Sequence, residues 1–91
     1  AIQNLRNTSL NNSPLDITRD YRHLDCGIGR YTASCTLFQA LITSIYKVEL
    51  SDTPFFNAYG DTPVTEKNFR ICQQAAINAC NTPFTVTPPT D

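Results

Sequence analysis

His23 is the one histidine of the chain, and so the one side chain whose unperturbed pKa lies near neutrality, as a general acid–base catalyst requires. Asp20, Arg22 and Asp25 flank it, Tyr21 and Tyr31 add hydroxyl donors, and Cys26 follows three residues later as a candidate nucleophile. Such a set could hydrolyse an ester, a glycan or a phosphodiester. Phosphodiester cleavage, however, ordinarily draws on two acid–base groups and cationic clamps, and here a single imidazole sits among alternating charges. A surface histidine in a charged segment accounts for the same residues. Gly27-Ile28-Gly29 lacks the third glycine or the following lysine of a phosphate loop, and reads as a flexible turn feeding a helix.

The four cysteines, Cys26, Cys35, Cys72 and Cys80, could bind zinc, act as nucleophiles or pair as disulfides. Structural zinc sites use close C-x-x-C pairs, and neither the 26-to-35 nor the 72-to-80 interval matches one. An even count in a chain of 91 residues that has no methionine and begins at Ala1 points to a processed, secreted, disulfide-linked protein without a cofactor. A core this small, burying roughly 60–65% of the unfolded surface, gains most from cross-links. Cys26 would then be oxidised and unable to act as a nucleophile.

These side chains need elements to hold them. Residues 1–14, rich in Asn, Ser and Thr, read as a flexible N-terminal arm, with a single domain over 15–91. The arm holds two sequons, at Asn7 and Asn11, that suit glycosylation on a secretory route. Residues 15–26 fit a strand or a helix. A helix from about Thr32 places Phe38, Leu41, Ile42 and Ile45 on one face and Thr36, Gln39 and Thr43 on the other. Alternation at Tyr46, Val48 and Leu50, a turn at 51–54 and the aromatic run Phe55, Phe56 and Tyr59 predict a hairpin over 46–59. Extension of the helix to Leu50 competes with it. A second helix opens at 62–65 and runs to Cys80, and Phe84 and Val86 alternate in a closing strand.

The fold class this order predicts is α+β: a small two-layer sandwich, β-α-β-β-α-β in ferredoxin-like order, with a mainly α three-helix domain as the alternative. On one helix Cys72 and Cys80 stand about 12 Å apart, beyond the ~7 Å a disulfide spans. With the two helices antiparallel on the sheet, Cys26–Cys80 and Cys35–Cys72 are the expected bridges, one of three connectivities open to four cysteines. At least one of Phe55 and Phe56 should face away from a single-layer core and, with Tyr59, could bind a partner or a second copy.

Seven Lys+Arg against eight Asp+Glu, interleaved, leave a formal charge of -1 and no footprint for nucleic acid. The apolar runs fall short of the ~18 residues of a transmembrane segment. The element order, "TEKNFRICQQAAINAC" as a cysteine-bearing helix and "PFTVT" as a closing strand resemble small secreted fungal effectors with the α/β-sandwich fold of killer toxins. That resemblance implies an extracellular protein, non-enzymatic, acting as an effector or toxin by binding a protein or cell-surface target in a host or competitor. A small secreted hydrolase or nuclease centred on His23 is the alternative.

Overall fold

The structure is a computed structural model that describes residues 1–50, 62–83, 85 and 86, with Ser44 described through its backbone alone. In chain order it comprises α1 (Ile2–Arg6), α2 (Ile28–Leu37), a π-helix (Phe38–Thr43), a last turn α3 (Ser44–Tyr46) and α4 (Phe69–Asn81). The stretch from α2 to α3 forms one contiguous rod. It stops at Lys47, which takes the left-handed conformation (φ 59°), and the Thr43 hydroxyl donates to the Val48 carbonyl at 2.7 Å to close the end.

The start of α2 is fixed by a buried carboxylate. Asp25 Oδ2 accepts from the backbone N–H of Gly27 at 2.9 Å and of Gly29 at 3.5 Å, so two amides that a helix leaves orphaned at its first turn are satisfied. Its Oδ1 accepts from the N–H of Thr62 at 3.0 Å, and the Thr62 carbonyl in turn accepts from Ile28 N–H at 2.9 Å. The stretch of chain that leads into α4 is thereby pinned across the start of α2. Gly27 is the crossing point: a Cβ there would lie 1.8 Å from the Thr62 carbonyl oxygen and 2.9 Å from Pro63 Cα.

Ahead of this junction, residues 15–27 are neither strand nor helix. They form a tight loop held by one antiparallel bridge, Thr18 to Leu24, and by Asp25 N–H donating to the Ile17 carbonyl at 2.9 Å. Ile17 itself is fully buried.

α4 presents Cys72, Ala75 and Ala76 to the core, small residues that let α2 and α1 approach closely from either side. α1, within the polar stretch 1–14, is too short to hold on its own. Leu5 is fully buried and Asn4 Nδ2 donates to the Ala75 carbonyl at 3.3 Å, so tertiary contacts keep it helical. Ile28, Tyr31 and Cys35 of α2 complete the core with Leu50 and Val64.

This architecture overturns the α+β sandwich. Three helices pack together, and no sheet is present among the described residues. Of the alternating Tyr46, Val48 and Leu50 only Leu50 is buried, because the rod runs through Tyr46 and turns at Lys47. The predicted strand residues 55–59, with Phe55, Phe56 and Tyr59, and Phe84 of the closing strand lie outside the described residues. The described part of that strand, Thr85 and Val86, is irregular and exposed. The helix face also differs. Leu41 and Ile45 point to solvent, since α4 packs chiefly against the first half of the rod and the π-helix shifts the phase of the second.

The disulfide framework is likewise corrected: all four cysteines are free thiols. The sandwich required antiparallel helices, whereas α2 and α4 advance in the same sense. Tyr31 meets Gln73 and Thr36 meets Cys80. Cys80 therefore lies beside a residue eight positions into α2, about 12 Å along the axis from its start, while Cys26 precedes that start.

Gly27→Ala should lower the unfolding free energy by at least ~2 kcal/mol, because the added methyl meets rigid backbone rather than a movable side chain. Urea denaturation measures this, with Gly29→Ala as the control. There the nearest atoms lie at 3.3 Å, and the gain in helix propensity offsets the crowding.

Candidate functional site

The histidine that sequence chemistry singles out lies on the surface of the 15–27 loop. His23 Nδ1 meets Asp20 Oδ2 at 2.7 Å, with the two side chains 60% and 44% exposed. Asp20 Oδ1 accepts from the N–H of Arg22 and of His23, so the carboxylate closes its own turn. The imidazole hydrogen bond and these amides hold the Asp20 carboxyl down at about 2. Asp25, the other carboxylate in reach by sequence, is fully buried and spends both oxygens on backbone amides. Tyr21 is exposed and Tyr31 is buried in the core, so the loop does not assemble them around His23.

The buried thiols form a different cluster, the seam between α2 and α4. The Tyr31 hydroxyl accepts from Gln73 Nε2 at 2.9 Å, and Gln73 Oε1 accepts from Arg70 Nη1 at 2.7 Å. Cys35 and Cys72 lie in the same seam. The Thr32 hydroxyl, buried beside the Cys72 sulfur, makes no hydrogen bond of standard geometry. Burial pushes the Cys72 thiol up to about 11 and raises Cys35 and Tyr31 as well. Thiols held protonated and away from solvent are inert, and this seam serves packing.

A solvent-open cleft of about 640 Å³ lies farther along the rod. Thr36, Gln39, Ala40 and Thr43 form one wall, and the end of α4, with Cys80 and Asn81, forms the other. Lys47 and Glu49 also line it, giving one cation and one anion. The Cys80 thiol donates to the Thr36 carbonyl at 3.7 Å and ties the walls together. The π-helix contributes Gln39, Ala40 and Thr43, and π-helical insertions are frequent at functional sites.

The sequence marked Thr36, Gln39 and Thr43 only as the polar face of an amphipathic helix. What turns that face into a cleft wall is the same-sense course of α4, which brings Asn81 and Cys80 alongside. The available signal was the uncharged run 31–46, closed by Arg30 before it and Lys47 after it. Among the described residues no group of acidic, cysteine or histidine side chains could hold a metal ion. Nor, among them, is any helix long and apolar enough to cross a membrane.

The two sequon asparagines differ. Asn7 is exposed at the end of α1, whereas Asn11 Nδ2, the atom a glycan would take, donates to the Arg6 carbonyl at 2.8 Å and its Oδ1 is buried. Phe55, Phe56 and Tyr59, expected to bind a partner, lie outside the described residues.

Against known proteins, a family model described as a domain of unknown function, DUF4886, matches residues 1–79. No curated protein and no solved structure matches the chain.

A coloured thiol reagent at neutral pH should modify Cys26 and Cys80, which are partly exposed, well before Cys35 and Cys72, and all four in denaturant. The same burial sets a pH dependence. The Cys72 thiol ionises less readily folded than unfolded, so its contribution to stability is complete below the ordinary thiol range and is lost as pH rises towards about 11. Asn11→Ala, which leaves the Arg6 carbonyl unpaired, should cost about 1–2 kcal/mol in urea unfolding, and Asn7→Ala should stay within ~0.5 kcal/mol.

Proposed function

We propose that this chain, which belongs to the DUF4886 family, acts by binding a protein segment in the cleft between the π-helix and the end of α4. The observation that carries the reading is the make-up of the cleft: hydroxyls of Thr36 and Thr43, amides of Gln39 and Asn81, and one charge of each sign. Such a surface offers donors and acceptors to a main chain and attracts no polyanion, since Lys47 is balanced by Glu49. Its volume lies within the ~300–1,000 Å³ of ligand sites, and its openness to solvent suits an extended segment rather than an engulfed small molecule.

A non-enzymatic role is supported by how the acid–base groups are used. Asp25 is a helix anchor, Asp20 closes a turn, and His23 does not line the cleft. Export to an extracellular or host target belongs to the same proposal. It rests on composition and on the exposed sequon at Asn7, not on cross-links.

The test is panning of a random-peptide display library on the immobilised full chain. Selected peptides should lose at least about tenfold in affinity to Ala40→Trp, which fills the cleft, and bind His23→Ala unchanged. Turnover of a generic ester, glycan or RNA substrate that disappears in His23→Ala would replace this reading with hydrolysis.

A further inference from the structure

The second half of the rod turns its apolar residues outward and its polar ones inward. Leu41, Ile45 and Tyr46 are 56%, 67% and 68% exposed, while Gln39 and Thr43 line the cleft beside α4. The π-helix at Phe38–Thr43 sets this orientation. It bonds i to i+5, so it holds one residue more than an α-helix of the same length, and the residues beyond it stand one place further back along the rod than a continuous α-helix would put them.

If that spare residue passes to the end of the rod, each later place is taken by the residue that precedes its present holder in the sequence. Ala40 and Ser44 then replace Leu41 and Ile45 on the outer face, and Ile42 and Tyr46 replace Thr43 and Lys47 at the cleft. One slip therefore exchanges polar and apolar character on both faces at once. The spare residue joins the link between the rod and Leu50, so the buried Leu50 keeps its place in the core.

We propose that the π-helix is the joint of a two-state gate, in which this one-residue slip carries Ile42 and Tyr46 into the cleft and closes it. Apolar burial and the return to α-helical bonding favour the closed register. A latch at the end of the rod holds the open one. The Thr43 hydroxyl donates to the Val48 carbonyl at 2.7 Å, and the Thr43 carbonyl accepts from Lys47 N–H at 3.0 Å, with Lys47 left-handed at φ 59°. Ile42 in the same place has no hydroxyl to give, so the slip costs the side-chain bond. A segment bound against Gln39, Thr43 and Lys47 meets only the open register and shifts the population towards it. As regulation of binding this rests on the cleft reading above; as a motion of the free chain it does not.

Nuclear magnetic resonance saturation-transfer and relaxation-dispersion measurements on the isotope-labelled full chain, free of ligand, test the gate. The expected result is a minor state of about 0.1–10% seen at amides 39–48 and not at 28–35. Deleting Ala40 removes the spare residue while leaving Thr43 and Lys47 in place, and should abolish the exchange. Thr43→Val, which keeps the shape and loses the latch, should raise the minor population several-fold. Circular dichroism melts check that both variants fold, and Thr43→Val alone decides if the deletion does not. Absence of exchange at 39–48 in both the native chain and Thr43→Val, exchange that survives the deletion, or a population indifferent to Thr43→Val would each overturn the gate. So would a peptide that binds the cleft and leaves the exchange unchanged. Failure to select any peptide would count against the cleft reading alone, since the motion is measured without one.

Discussion

The buried carboxylate of Asp25 is the constraint on which the fold depends. It is fully buried, yet its oxygens meet three backbone amides from two parts of the chain, the first turn of α2 and the segment entering α4. A buried carboxylate with such a set of charge-assisted bonds stabilises the arrangement, and the same group without them would disrupt it. It stands where the helix dipole favours negative charge. By setting where α2 begins and where residues 62–63 cross it, Asp25 also sets the direction from which α4 arrives.

That direction governs everything downstream. Because α4 runs in the same sense as α2, Tyr31, Cys35, Cys72 and Gln73 share a buried seam at one level, and Thr36 and Cys80 meet at the next. Beyond them the rod and the end of α4 part enough to leave the cleft. The rod thus has three surfaces in sequence around its axis and along its length: a core face in its first half, a polar wall in its second, and an apolar stripe turned to solvent. The π-helix lies where the first gives way to the others.

The residues richest in chemical suggestion turn out to be used for structure. Asp25, two residues from His23, looks from the chain like a general base, but its lone pairs are already committed to amides. The four cysteines look like cross-links, but two are packing atoms in a helix seam, one ties cleft walls through a carbonyl, and Cys26 sits half-buried ahead of α2. The cleft draws on side chains of little intrinsic reactivity, and that fits recognition better than bond-breaking.

Local pattern in the sequence determined the parts that depend on neighbours in the chain. The helix through Cys72 and Ala76, the helical run from the early thirties with its hydroxyl and amide side, and the balanced charge are all legible from spacing and composition. What composition could not give is which faces meet. The arm-like stretch 1–14 holds a helix because Leu5 and Asn4 find α4, and Tyr46, Val48 and Leu50 alternate without forming a strand because the rod ends at Lys47. Cys26 and Cys80 are held apart by one tertiary choice, the relative sense of α2 and α4, which rests on the contacts between Asp25 and Thr62 across 37 residues of chain. Hydrophobic periodicity states that a face is buried, and only the long-range hydrogen bonds and packing decide against what.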